Sequence, residues 1–168
     1  MSLIVEDGTG LSTAQSYVSV ADCTAYHANH GNSAWAAALT DALREAALVR
    51  ATLAIDARGY GNWRGVKYLT TQALDWPRSG AWDADGVPLS GVPAKLIEAT
   101  CEAALVELGS VGALSKKGEA GLKSITIGDI EKTWTGSSAV ASVSYPAIYR
   151  PLRRLMNGSA GNIAIGGR

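Results

Sequence analysis

The sequence predicts a mainly α-helical domain: a small helical bundle with a long central loop, a β-hairpin, and a C-terminal helix that continues into an extended tail. Three observations predict it. Ser19 and the pair Thr40-Asp41 each stand where a hydroxyl caps the start of a helix. Behind Pro93, the residues Leu96, Ile97, Thr100, Cys101, Ala104, Leu105 and Leu108 recur with helical period. Ser124-Ile125-Thr126-Ile127 and Ile130-Glu131-Lys132-Thr133-Trp134 flank Gly128-Asp129 with the alternation and turn chemistry of a hairpin.

Taken in order, the first helix is predicted over residues 20–30, with Gly31 as its terminator and Tyr26 on a packing face rich in alanine. Asn32-Ser33-Ala34-Trp35 starts a single turn. A second helix runs through about Arg58 and is stopped by Gly59 and Gly61. Residues 60–92 are rich in Gly, Trp and polar side chains and form a specialised connection, with one short helix expected at 70–74. Pro93 occupies the first position of the next helix, where its missing N–H costs nothing, and this helix is expected to be the spine of the core. Residues 109–121 form a loop carrying Lys116 and Lys117, and the hairpin lies at about 122–135. Residues 136–144 are a polar linker, and the last helix, at about 146–156, opens on Tyr145-Pro146. The chain thus divides into one domain over 1–156 and a Gly-rich docking tail over 157–168, which is expected to order only on a partner.

At 168 residues the chain supports one domain with a proper core, not two. Charged residues make up 18% against 47% hydrophobic, a low charge supply that fits a subunit covering part of its surface with neighbours. The formal net charge is zero, which argues against a whole-molecule grip on nucleic acid, so distribution matters more than the sum. Through Ala57, Glu6, Asp7, Asp22, Asp41, Glu45 and Asp56 outweigh Arg44 and Arg50. Beyond Lys132, Arg150, Arg153, Arg154 and Arg168 face no acid at all. Cys23 and Cys101 have neither disulfide-framework nor zinc spacing. No stretch approaches the roughly 18 apolar residues of a membrane span, and the first seven residues lack the basic start of a signal peptide, so the expectation is a soluble protein, intracellular when made.

Candidate chemistry is sparse. Cys23, His27 and His30 share one helical stripe but lack a fourth ligand, and packing is the simpler reading. Asp83-Ala84-Asp85-Gly86 opens like a calcium loop, yet Val87 and Ala94 stand where ligands are required, which leaves a surface turn. Asp41 and Glu45 read as helix N-terminal charge. No phosphate loop, dinucleotide fingerprint or nucleophile elbow is present. The expectation is a protein without catalytic residues, metal or cofactor. What remains is recognition. Trp63-Arg64, Lys67-Tyr68 and Trp76-Pro77-Arg78 interleave aromatics with bases, as single-stranded nucleic acid binders do. The same residues also fit a protein interface, or a loop whose tryptophans plug the core. Arg150, Arg153 and Arg154 suit a solvated helix face, an acidic partner or a DNA channel.

Four blocks carry a resemblance: Leu3-Ile4-Val5-Glu6-Asp7-Gly8-Thr9-Gly10; Ser16-Tyr17-Val18-Ser19-Val20-Ala21 leading to Ala25-Tyr26-His27; Ala73-Leu74-Asp75-Trp76-Pro77-Arg78; and Tyr145-Pro146-Ala147. In this order and spacing, over about residues 3–155, the chain resembles a family of tailed-phage and prophage proteins labelled DnaT-like single-stranded-DNA-binding protein. It also resembles the head–tail connector, or adaptor, proteins of the phage neck. The connector resemblance implies a structural virion protein, made in the bacterial cytoplasm, with about a dozen copies in a ring under the portal and around the DNA channel. It implies a portal-binding arm at Arg150, Arg153, Arg154, Leu155, Asn157, Ile163, Ile165 and Arg168, with the next neck or tail protein on the other side. Trp63, Arg64, Lys67, Trp76, Arg78, Lys116 and Lys117 are then candidates for contact with DNA or a neighbouring subunit. The other label implies single-stranded-DNA binding. A minor tail-completion role is a third expectation.

Overall fold

The structure is a computed structural model that describes residues 3–38, 40–83, 85–115, 124–127, 130–133 and 145–157. Among them are five helices and two short antiparallel ribbons: α1 Val20–Asn29, α2 Ser33–Ala36, α3 Asp41–Gly59, β1 Val66–Lys67, β2 Arg78–Ser79, α4 Ala94–Gly109, β3 Ser124–Ile127, β4 Ile130–Thr133 and α5 Pro146–Arg153. The domain is mainly helical, as predicted. No helix among the described residues is long and apolar enough to cross a membrane.

Helix α1 starts where Ser19 Oγ accepts from Asp22 N and donates to Asp22 Oδ2, so one hydroxyl serves both the backbone and the first-turn acid. Its buried side chains are Cys23 and His27. The single turn α2 seats Trp35 fully inside, where the indole N–H donates to Thr24 Oγ1 at 2.9 Å. Thr40 caps α3, which buries Ala47, Leu48, Ala51, Thr52 and Ile55 against α4. Helix α4 is the spine: it packs along α3 on one side and α5 on the other, burying Leu96, Ala99, Thr100, Cys101, Ala103 and Ala104. Pro93 lies one residue outside this helix, not at its first position, and its carbonyl accepts from Leu96 and Ile97.

Polar groups close the remaining turns. Glu6, only 4% exposed, accepts from the amides of Gly8, Gly10 and Leu11, which explains why an acid precedes two glycines at the start of the chain. Glu107, at 1% exposure, pairs with Arg50 at 3.1 Å and accepts from Gly112 and Leu114 N–H, fixing the turn after α4. Asp83 Oδ1 accepts from Asp85 and Val87 N–H, the local bonding of a surface turn.

Two predicted elements differ from the structure. No helix forms at 70–74. Gln72 is the reason: its side chain accepts from Leu69 N and donates to Leu74 O and Pro77 O, replacing the partners a helical backbone would supply. The last helix ends at Arg153, because Arg154 N and Leu155 N turn back to the carbonyls of Pro151 and Leu152 and the chain then runs out to bridge Met156 to Trp63. Strands β3 and β4 pair as predicted, Ile125 opposite Lys132 and Ile127 opposite Ile130. Gly128, Asp129, Trp134 and residues 158–168 lie outside the described residues.

The two cysteines, 78 positions apart in sequence numbering, meet in the core between α1 and α4 as free thiols. The hydrogen bond to Cys101, with burial behind it, drives the Cys23 thiol far above the ordinary range. His27 lies 3.1 Å from the Cys101 carbonyl and 3.0 Å from the Asn32 amide, so both ring nitrogens are engaged by the protein. Burial lowers its pKa against the opposing pull of that carbonyl, which favours the neutral ring.

Candidate nucleic-acid interface

The central loop is built inward from Gln72-Ala73-Leu74-Asp75-Trp76-Pro77-Arg78. Trp76 is completely buried and meets Trp63 edge-on, with ring centroids 6.0 Å apart. Trp63 itself is 4% exposed and lies against Gly59 so closely that a Cβ there would fall 1.9 Å from the indole. Asp75 joins the pieces, accepting from the Trp63 indole N–H at 3.0 Å and pairing with Lys67 at 3.2 Å. The Trp76–Pro77 peptide is cis. Arg78 wraps back on the loop, donating to the carbonyls of Arg64, Gly65 and Asp75.

Tyr17 and Asp56 anchor this assembly to the helices. The Tyr17 hydroxyl donates to Asp56 Oδ1 and accepts from the amides of Asp75 and Trp76, while Asp56 Oδ2 also accepts from Asp75 N. Burial raises the Tyr17 hydroxyl well above its ordinary range, reinforced by the Asp56 charge. Burial likewise pushes the Asp56 carboxyl up to about 6, outweighing the hydrogen bonds that favour its ionised form. The native state therefore holds a proton that the unfolded chain, with a carboxyl near 3.8, has already released. The stability this group contributes is full below about pH 4 and is lost as pH rises through about 6, a decline of roughly 3 kcal/mol. Denaturant titrations across that window are expected to show the decline, and Asp56→Asn is expected to flatten it. An unchanged slope in the variant would rule out Asp56 as its source.

Arg64 ties its own segment to two others. Its backbone N–H donates to Leu155 O, its Nε to Met156 O and one terminal nitrogen to Trp82 O at 2.8 Å. Met156 bridges Trp63, and Asn157 bonds Asn62 and Trp63. Residues 155–157 are thus bonded along the outside of the central loop.

These positions sort the predicted contact residues. Trp63 and Trp76 belong to the core and present no face for stacking, which corrects their assignment as contact residues. Arg64 and Arg78 hold backbone carbonyls yet retain their charge, and Lys67 is held by Asp75. In the predicted portal arm, Leu155 is 1% exposed and packs in the core, so it is not available to a partner. Arg150, Arg153, Arg154 and Asn157 are exposed. None of the ion pairs among the described residues uses Arg64, Arg78, Arg150, Arg153 or Arg154. Lys116, Lys117, Ile163, Ile165 and Arg168 lie outside the described residues.

The loop does present aromatics outward, but different ones. Tyr60 is 81% exposed, Tyr68 57% and Trp82 52%. Tyr60 ends α3, Tyr68 follows β1 and is tied to Pro77 O, and Trp82 is held through its carbonyl by Arg64. Sequence reasoning grouped Tyr68 with the bases but missed Tyr60 and Trp82. The available signal was their setting, Gly59-Tyr60-Gly61 and the position just before the Asp83 turn, where no periodic apolar partners argue for burial.

Fold and surface together define a small, mainly helical domain that displays bases and aromatics around an internally bonded loop. The model of one family, described as "Putative DnaT-like ssDNA binding protein", matches residues 1–166. The chain belongs to that family. This supports the single-stranded-DNA half of the resemblance and leaves the head–tail connector half without support. No curated protein and no solved structure matches the chain.

Proposed function

We propose that the protein binds single-stranded DNA at the outer surface of the central loop, with Tyr60, Tyr68 and Trp82 as stacking groups and Arg64, Arg78 and the arginines at the end of α5 as phosphate contacts. The observation that carries the reading is the exposure of Tyr68 and Trp82 on segments that the Tyr68–Pro77 bond and Arg64 tie into the loop, with Tyr60 exposed where α3 runs into it. An aromatic face is sequence-tolerant because every base can stack on it, and guanidinium groups outside the ion pairs of the described residues supply the electrostatic term. Membership of a family described by single-stranded-DNA binding supports the same reading.

Fluorescence anisotropy with a labelled single-stranded oligonucleotide tests it. The wild-type protein is expected to bind with an affinity that falls linearly in log salt, by about 0.7 in slope per phosphate contacted. Replacing Tyr60, Tyr68 and Trp82 together by Ala is expected to weaken binding by about tenfold or more per stacked base, with the melting temperature nearly unchanged. No binding even at low salt would sink the proposal.

A second reading places the same three arginines, Arg150, Arg153 and Arg154, exposed together where the chain leaves α5, on a partner or a DNA channel. On it, the protein is a structural head–tail adaptor that assembles as a ring between portal and tail and lines the DNA channel. Duplex DNA separates the two. A single-strand binder is expected to resist competition by duplex, whereas a channel lining that senses only phosphate is expected to be displaced by both.

A further inference from the structure

The chain has one asparagine followed by glycine, Asn157-Gly158. An asparagine side chain is open to attack by the backbone nitrogen of the residue behind it, and glycine, with no side chain, hinders that attack least. The structure sets Asn157 apart from the other asparagines it describes. Asn29 precedes His30, whose N–H donates to the carbonyls of Tyr26 and His27. Asn32 precedes Ser33, which donates to Gly31 O, and its own amide is held 3.0 Å from His27 Nδ1. Asn62 precedes Trp63, whose N–H donates to Gly59 O and whose indole is buried. At all three, the attacking nitrogen is already engaged. Asn157 is exposed and lies beyond the end of α5. Its side chain makes one bond among the described residues, a donation to Trp63 O at 3.3 Å, longer than the usual range.

We propose that Asn157 is a site of spontaneous covalent modification, whose conversion to aspartate and isoaspartate unfastens Met156 and residue 157 from the central loop. The Gly158 nitrogen forms a bond to the side-chain carbonyl carbon of Asn157 and gives up its proton. The bond from that carbon to the side-chain nitrogen breaks, and the nitrogen leaves with the proton as ammonia. Water then opens the cyclic imide at either carbonyl and supplies the new carboxyl group, so water is the sole co-reactant. The consequence follows from what Asn157 holds. Its N–H donates to Asn62 O at 2.7 Å and its side-chain amide donates to Trp63 O, both beside the bridge that joins Trp63 to Met156. Aspartate replaces that side-chain donor by an acceptor, which sets a carboxylate oxygen against the Trp63 carbonyl oxygen with no hydrogen between them. Isoaspartate diverts the main chain through the former side chain and leaves the α-carboxylate in its place, so the chain departs from the loop in a new direction. Both products add a negative charge next in sequence to Met156, whose carbonyl accepts from Arg64 Nε.

The modification is independent of the DNA reading and is tested on the full chain without DNA. After prolonged incubation in mildly alkaline buffer, peptide mapping by mass spectrometry is expected to find the amide-to-acid mass change at Asn157 ahead of every other asparagine. A synthetic peptide with the sequence of residues 155–160 sets the unhindered rate, and the local bonds of the folded chain are expected to slow conversion by no more than about tenfold. Gly158→Val is expected to slow it severalfold, because a β-branched side chain crowds the attacking nitrogen. Amide exchange reads the release. In Asn157→Asp, the N–H groups of residue 157 and of Arg64, which donate across the bridge, are expected to exchange about five- to tenfold faster than in the wild type, with α4 unchanged. The site is overturned if Asn157 keeps its amide while the peptide converts, if another asparagine converts first, or if Gly158→Val leaves the rate as it was. Unchanged exchange at both N–H groups in Asn157→Asp would overturn the release.

Discussion

Trp76→Ala is expected to lower folding stability by about 3–5 kcal/mol, the range for truncating a fully buried aromatic, which is a large share of what a domain of this size possesses. The loss has two sources. The indole fills the space between Trp63 and the helices, and its backbone N–H is one of the two amides bound by the Tyr17 hydroxyl. A cavity there loosens that hydroxyl and, through it, Asp56. Trp82→Ala, on a side chain 52% exposed, is expected to change stability by no more than about 0.5 kcal/mol. Trp76→Phe is expected to fall between, because the Trp76 indole nitrogen is buried with no hydrogen-bond partner among the described residues and phenylalanine gives up only volume. Equilibrium denaturation of the three variants checks the order. Equal midpoints for Trp76→Ala and Trp82→Ala would remove Trp76 from the core.

Glu107→Ala is expected to cost about 3 kcal/mol. That is the low end for breaking a buried ion pair, since the Arg50 side chain is 32% exposed and regains water. The carboxylate serves three donors at once, so its removal also leaves the amides of Gly112 and Leu114 without their acceptor. Glu107→Gln keeps one acceptor oxygen and is expected to lose about half as much. Amide hydrogen exchange gives the local readout: faster exchange at Gly112 and Leu114 in Glu107→Ala, with α1 unaffected. Uniform acceleration across the chain would mean instead that the residue acts on global stability alone.

The helices were legible because their signals are local. Ser19 and Thr40 announce starts, Gly31 and Gly59 announce ends, and the apolar period behind Pro93 marks the spine; each signal sits within a few residues of what it controls. The central loop was legible only as a place of importance. Its composition identified aromatics beside bases, but whether a tryptophan points inward depends on partners that sequence spacing does not reveal. Trp63 is buried because Gly59 lets it approach and Met156 closes over it, and Trp76 because Tyr17 holds its backbone. The bonds of Gln72 and Asp75 carry no signal in the sequence, yet one cancels a predicted helix and the other gathers Trp63 and Lys67. Leu155 entered the portal arm only through the connector resemblance. Its burial reflects the sharp turn after α5, which no motif signals.

Arg64 reaches forward 92 positions to the carbonyl of Met156, and this sets an order of events during synthesis. Helices α1 to α3 are made first and α3 meets its main partner when α4 follows, but the central loop lacks its bonds to residues 155–157 until those have been made. Closing so long an interval adds its entropic cost late, after the helices have supplied a frame. The surface that carries Tyr60, Tyr68 and Trp82 is therefore the last part of the domain to mature. A nascent chain that has not yet emitted this segment has an unfinished loop surface.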